Sequence, residues 1–95
     1  MTVSIFVRSK VKDFGVWKEN FDSGAEFVKQ QGVIASRVLR DLDDPNLVVI
    51  QHDFAETNAA RGFMALMDSD AFREGPVKEG GVIPESVEVW VGEEV

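Results

Sequence analysis

Cysteine is absent from this chain of 95 residues, and histidine occurs once, as His52. Without thiols there is neither a disulfide nor a thiolate-held metal, and one imidazole cannot build a multi-histidine site. Neither a metal nor another cofactor is expected. Basic residues are in deficit: 10 lysines and arginines face 17 aspartates and glutamates, a formal charge of −7. The densest basic group, Arg8-Ser9-Lys10-Val11-Lys12, holds only three charges. That balance repels phosphate backbones, so nucleic acid is not an expected partner. Long apolar runs are missing too. No stretch approaches the ~20 residues that cross a bilayer, and no basic segment precedes the first apolar run as in a secretory leader. The expectations are no membrane association and a cytoplasmic location.

What is present reads as one domain over residues 1–95, without repeats, linkers or low-complexity segments. A chain this short buries roughly 60–65% of the surface it exposes when unfolded, which leaves a thin margin of stability. With disulfide and metal excluded, association with a partner is the remaining aid.

Val3–Val7 is a short run rich in β-branched residues and reads as a strand. Asp13 then stands where a helix N-cap belongs. Phe14, Trp17, Phe21, Ala25 and Val28 recur at spacings of three and four, which predicts a helix over 14–31 closed by Gly32 in the left-handed region. Residues 33–42 and 47–54 read as strands joined through Asp43-Asp44-Pro45-Asn46, a turn in which proline presets the second position. Ala60, Phe63, Met64 and Met67 share a second helical face, and Ser69 can cap a short helix carrying Ala71 and Phe72. Gly75-Pro76 and Gly80-Gly81 predict a loop over 75–84, as a plain connection or a lid. No lysine or serine follows the glycine pair, so no phosphate loop is present. Residues 87–91 form the last strand. The order β-α-β-β-α-β with right-handed crossovers gives a ferredoxin-like α+β fold, an antiparallel sheet with both helices on one face.

Strand alternation then bears on assembly. In the third strand Val48, Ile50, His52 and Phe54 share one face, and Leu47, Val49, Gln51 and Asp53 the other. The first strand divides into Val3, Ile5 and Val7 against Ser4, Phe6 and Arg8. The second divides into Val33, Ala35, Arg37 and Leu39 against Ile34, Ser36, Val38 and Arg40. Neither face is purely polar, and two helices cover only one. Apolar area is worth ~25 cal/mol per Å², so ~400 Å² per subunit supplies ~10 kcal/mol of gross drive. Sheet packed on sheet about a two-fold axis uses that area, and a homodimer is expected.

The Val11-to-Trp17 approach to the first helix, the Val38-to-Asn46 hairpin, and the Val48-to-Phe54 strand running into an alanine-rich helix resemble the dimeric α/β barrel superfamily. Within it, the chain is similar to small proteins related to antibiotic biosynthesis monooxygenases. The resemblance implies a two-fold dimer with sheets face to face, and a small-molecule cavity between sheet and helices in each subunit. It implies a range of activities, from cofactor-independent oxygenation of aromatic polyketides to haem degradation and isomerisation. Haem-degrading members use a histidine on the second helix, and none occurs between Thr57 and Glu79. The oxygenases' asparagine–tryptophan pair falls on Ile50 and Phe54, where neither residue matches.

His52 is the candidate catalytic residue, because a lone positioned imidazole is a suitable base for an acidic phenol or enol. Trp17, Phe54, Met64 and Trp90 are the candidate binding residues for a small aromatic or hydrophobic ligand. Helical spacing alone makes Phe21 and Phe63 core. Arg37 and Arg40 are candidates for an anionic ligand group or for ion pairs across a dimer. Two functional readings follow. One is an enzyme without metal or organic cofactor, an oxygenase or an isomerase/cyclase of polyketide-like compounds. The other is a non-catalytic ligand-binding or accessory homodimer.

Overall fold

In β1 (Val3–Lys10) a strict two-residue period buries Val3, Ile5, Val7 and Ser9 and leaves their neighbours partly or fully exposed. The computed structural model describes residues 2–95. The same period in β3 (Leu47–Phe54) buries Val48, Ile50, His52 and Phe54. With β2 (Val33–Arg40) and β4 (Glu88–Glu93), these strands form one sheet in the order β2-β3-β1-β4. All three pairings are antiparallel, with Ile5 opposite His52 and Val91, and Phe6 opposite Gln51 and Trp90. The fold is α+β and ferredoxin-like, with the helices on the face that carries the core.

The first helical segment is divided. α1 (Phe14–Ser23) starts at Asp13, whose carboxylate accepts the Val16 N–H at 3.0 Å. That contact satisfies one of the donors a helix start leaves free. Gly24 then interrupts the helix, and α2 (Ala25–Gln30) follows. The expected unbroken helix over 14–31 is corrected here: glycine is among the weakest helix formers, and the break takes Ala25 off the buried stripe to an exposed position. Trp17 is buried, and Phe14, Phe21 and Val28 pack against the core. Gly32 has φ +97°, and an added Cβ would stand 3.1 Å from the Ala59 Cβ.

β2 departs from simple alternation. Val33 lies opposite Phe54, but Ala35 lies opposite Asp53 and Ser36 opposite His52. Ile34 is therefore an extra residue, a β-bulge that reverses the facing of the strand beyond it. The division expected from alternation is corrected accordingly: Val33, Ser36, Val38 and Arg40 face the helices, while Ala35, Arg37 and Leu39 face away. The hairpin is built as the turn residues demand. The Asp41 carboxylate accepts the N–H groups of Asp43 and Asp44 at 2.9 Å, and the Leu47 N–H donates to the Asp44 carbonyl at 3.1 Å across Pro45.

α3 (Thr57–Met67) buries Ala60 and Phe63 against the sheet. Ser69 caps α4 (Asp70–Phe72), accepting the Phe72 N–H at 3.2 Å. The loop expected over 75–84 is in part helical: Arg73–Val77 continue α4 as a π-helical turn. A proline lacks the N–H of the α-helical ladder, and a widened turn accommodates it without ending the helix. Beyond it the chain is tied to β1 by a Val11–Val82 bridge and a 2.9 Å bond from the Ile83 N–H to the Lys10 carbonyl.

The other face of the sheet has no helix over it. Phe6 and Trp90 stack there at 4.2 Å between ring centroids, and Trp90 is 59% exposed. Leu39 is 52% exposed on the same face, beside Leu47 and Val49. Among the described residues no helix is long and apolar enough to cross a membrane.

Candidate active site

Sheet and helices do not close completely on each other. Between them lies a cavity of about 650 Å³. Trp17 and Phe21 of α1, Ile50 and His52 of β3, and Phe63 and Met67 of α3 border it. Phe72 and Arg73 form a further wall. The lining is mostly apolar, as ligand pockets for flat organic molecules are. Arg73 is the one formally charged residue among the described lining residues.

His52 reaches this place because β3 alternates and because the sheet buries its ring, which is 3% exposed. The imidazole stacks on Phe21 at 6.1 Å and meets Phe63 edge-on at 5.3 Å. Trp17 stacks on Phe21 in turn, at 5.2 Å. Ser36 Oγ lies 2.8 Å from His52 Nδ1. The other ring nitrogen, Nε2, has no hydrogen-bond partner among the described residues. Arg73 Nε is the only described side-chain nitrogen or oxygen both sealed from solvent and unpartnered. Nε2 is therefore not sealed from solvent, and His52 is one of the residues that border the cavity.

Burial pushes the His52 pKa down from 6.5 to about 4, against a smaller opposing pull from the Asp53 carboxylate. The ring is thus neutral over the physiological range, and its free nitrogen keeps the same protonation state throughout. Asp53 projects to the opposite face, where it accepts hydrogen bonds from Ser4 Oγ at 2.6 Å and Gln51 Nε2 at 3.0 Å. The Ser4 bond chiefly, then the Gln51 bond, holds the Asp53 carboxyl below its usual range.

The residues singled out in the sequence separate. Trp17 and His52 meet at the cavity. Phe54 is fully buried against Phe63, at 5.7 Å, and is core rather than wall. Met64 packs against the core, off the cavity. Trp90 is a correction: its register opposite Phe6 puts it on the far face of the sheet, away from any ligand between sheet and helices. Arg37 is on that far face too, and the Arg40 guanidinium lies 4.5 Å over the Phe14 ring.

Arg73 is the polar wall residue that the sequence reading missed. One of its terminal nitrogens donates to Asp68 at 2.8 Å, which fixes the guanidinium. Its Nε–H is sealed from solvent and left without a partner among the described residues. A buried donor of that kind is costly unless something accepts from it. The available signal was Ser69: once it caps a helix, a fourth residue onward belongs to the same turn as Phe72. No described group of three or more histidine, cysteine, aspartate or glutamate side chains is placed to hold a metal ion.

Solved structures share this architecture. SnoaB, a cofactor-independent oxygenase from Streptomyces nogalater, superimposes with a TM-score of 0.72 at 17% identity, over 99% of this chain and 93% of that one. A protein provisionally assigned as an antibiotic biosynthesis monooxygenase from Bordetella bronchiseptica gives 0.75 at 12% identity, over 99% and 97%. A conserved protein from Methanosarcina mazei gives 0.71 at 15%, over 100% and 94%. No family model matches the sequence, and no curated protein is significantly similar to it. At these identities the likeness establishes a common fold, and it agrees with the resemblance carried by the sequence.

Proposed function

We propose that this ferredoxin-like domain is a small-molecule enzyme needing no metal or organic cofactor, which deprotonates an aromatic or polyketide-like substrate in the cavity between sheet and helices. The observation that carries the reading is a histidine with one ring nitrogen unpartnered, among the residues that border a mostly apolar space of about 650 Å³. The similarity to SnoaB, a cofactor-independent oxygenase, favours oxygenation over isomerisation as the step that follows.

In this chemistry a phenol or enol stacks beside Trp17 and Phe21, and His52 Nε2 takes its proton. A base whose pKa is about 4 in the empty cavity is weak. The forming oxyanion corrects this, because an opposite charge in a dry site stabilises the imidazolium and raises its pKa. The Arg73 guanidinium, the one formal positive charge among the described lining residues, offsets the oxyanion by its charge. The electron-rich ring carbon of the anion then bonds to dioxygen, which takes two electrons and the proton held on His52 to become a hydroperoxide. Loss of water leaves the quinone. Without dioxygen the anion can add to its own carbonyl, and the imidazolium returns the proton to the new alkoxide.

The uncovered sheet face, with Phe6, Trp90 and Leu39, is the surface through which two copies associate. It lies on the other side of the sheet from the cavity, so each subunit keeps its own site.

The test is a panel of polycyclic phenols followed by oxygen uptake and product mass, with wild type against His52→Gln. Wild type turns over at least one phenol, and the variant loses ~10²-fold or more with its assembly intact. Equal turnover in both would remove His52 as the base. Binding of the phenols without turnover would favour the accessory, ligand-binding reading.

A further inference from the structure

We infer that Ser36 is a positioning residue, which holds His52 as the tautomer protonated on Nδ1 and so points the lone pair of Nε2 at the cavity. This rests on the reading of His52 as the base of that cavity, and it names the residue that makes the ring competent.

The geometry originates in the bulge. Val33 lies opposite Phe54, so unbroken pairing would set Ala35 opposite His52. A methyl group there offers the ring nothing. The extra residue Ile34, 62% exposed, advances the strand by one and brings Ser36 opposite His52 instead. Its hydroxyl then sits 2.8 Å from Nδ1. The bulge thereby replaces an alanine by the one side chain seen to hydrogen-bond the ring.

A serine hydroxyl can donate or accept, so the direction of the bond must be argued. Ser36 is itself exposed, on the edge strand β2, and water can take its hydroxyl proton. Its oxygen is then free to accept from Nδ1–H. Were the hydroxyl to donate to Nδ1, the ring proton would sit on Nε2, a donor without a partner beside apolar side chains. Nε2 has no partner among the described residues and His52 borders a mostly apolar space, where an unpartnered N–H is worse placed than an unpartnered acceptor. The balance puts the proton on Nδ1, and which nitrogen carries it follows from the bond the other makes. The outcome is a neutral ring whose acceptor faces the substrate.

The experiment uses the full chain labelled with ¹⁵N-histidine. His52 is the only histidine, so a single pair of ring resonances is read, at neutral pH and without ligand. Wild type carries its proton on Nδ1. Ser36→Ala shifts the population toward the Nε2–H form, and Ser36→Thr, which keeps a hydroxyl, restores the wild-type pattern. Turnover of a phenol in Ser36→Ala falls about tenfold in kcat with KM little changed, as expected when only the orientation of a base is lost. A wild-type ring protonated on Nε2, or identical spectra for wild type and Ser36→Ala, overturns the inference. An unfolded Ser36→Ala leaves the decision to the wild-type spectrum. The base reading fails separately: unchanged turnover in His52→Gln removes the base and leaves the tautomer result standing.

Discussion

Acid stability offers a direct measure of how His52 is held. The ring has its ordinary pKa of 6.5 in the unfolded chain and about 4 in the folded one. Below pH 6.5 the unfolded state therefore binds a proton that the folded state refuses, and stability falls as the pH falls. The loss continues until the folded pKa is passed and then levels off. Linkage between pKa values of 6.5 and about 4 gives a loss of about 1.8 kcal/mol between pH 7 and pH 5. Domains of this size hold roughly 5–14 kcal/mol in all, so the loss is a substantial share. Asp53 works the other way, since its folded pKa is lowered below 3.8. Its contribution is present above that value and lost only at lower pH, so it stays outside the window. Urea unfolding at fixed protomer concentration, at pH 7 and pH 5, reads the difference as a midpoint shift of roughly 1 M. His52→Gln keeps a polar side chain but no titration, and its midpoint should move by far less over the same interval. Equal losses in wild type and variant would mean that the ring is hydrated in the folded state, and the account of a desolvated base would collapse. A titration of the one histidine by NMR checks the same pKa without unfolding.

Further outcomes follow from other parts of the molecule. Sedimentation at micromolar concentration should give about twice the 10.5 kDa chain mass, and Trp90→Asp should return a monomer; a monomeric wild type would sink the use of the open sheet face. The two tryptophans occupy opposite sides of the sheet, so a phenol that quenches fluorescence should do so in Trp90→Phe and not in Trp17→Phe. Undiminished quenching in Trp17→Phe would place the ligand elsewhere. Gly32→Ala forces a side chain into φ +97° with its Cβ 3.1 Å from that of Ala59, and thermal unfolding should register a cost of ~1–2 kcal/mol; no change in the midpoint would contradict that strain. Turnover of a phenol should decline as the pH rises past the substrate's own pKa, and a rising profile there would mean that the enzyme takes up phenolate.

The parts of the fold that rest on a local period were legible from the sequence. Alternation in residues 47–54 placed His52 beside Ile50 and Phe54, and the cap at Asp13 and the turn at Pro45 were readable from side-chain chemistry alone. What escaped depends on interruptions to a period. The extra residue Ile34 is invisible in a run of Val, Ile, Ala and Ser, because a bulge is fixed by pairing with β3 and not by composition. Gly24 inside a helical stripe and Gly75-Pro76 beyond one were read the wrong way round, the first as helix interior and the second as a terminator. In the fold, α1 breaks at the glycine, and the last helix passes the proline by widening into a π turn. Arg73 and Trp90 show the cost. The one lay past an expected helix end, and the other could be placed only once its strand was paired with β1.

The charge of the whole chain bears on which form of a substrate the proposed chemistry can use. A net −7 surrounds a cavity whose one formal charge among the described lining residues is positive, on Arg73. Beyond a Debye length of ~8 Å at physiological salt the acidic surface is largely screened, but at closer range it opposes an approaching phenolate. The neutral phenol meets no such barrier, and its transfer into an apolar space is favourable where that of an anion is not. Ionisation is therefore best done after entry, inside, where His52 accepts the proton and Arg73 is positioned to share the negative charge that results. A low pKa for the empty site fits this order of events. It keeps His52 unprotonated while it waits, and the charge that makes it a stronger base arrives with the reaction itself.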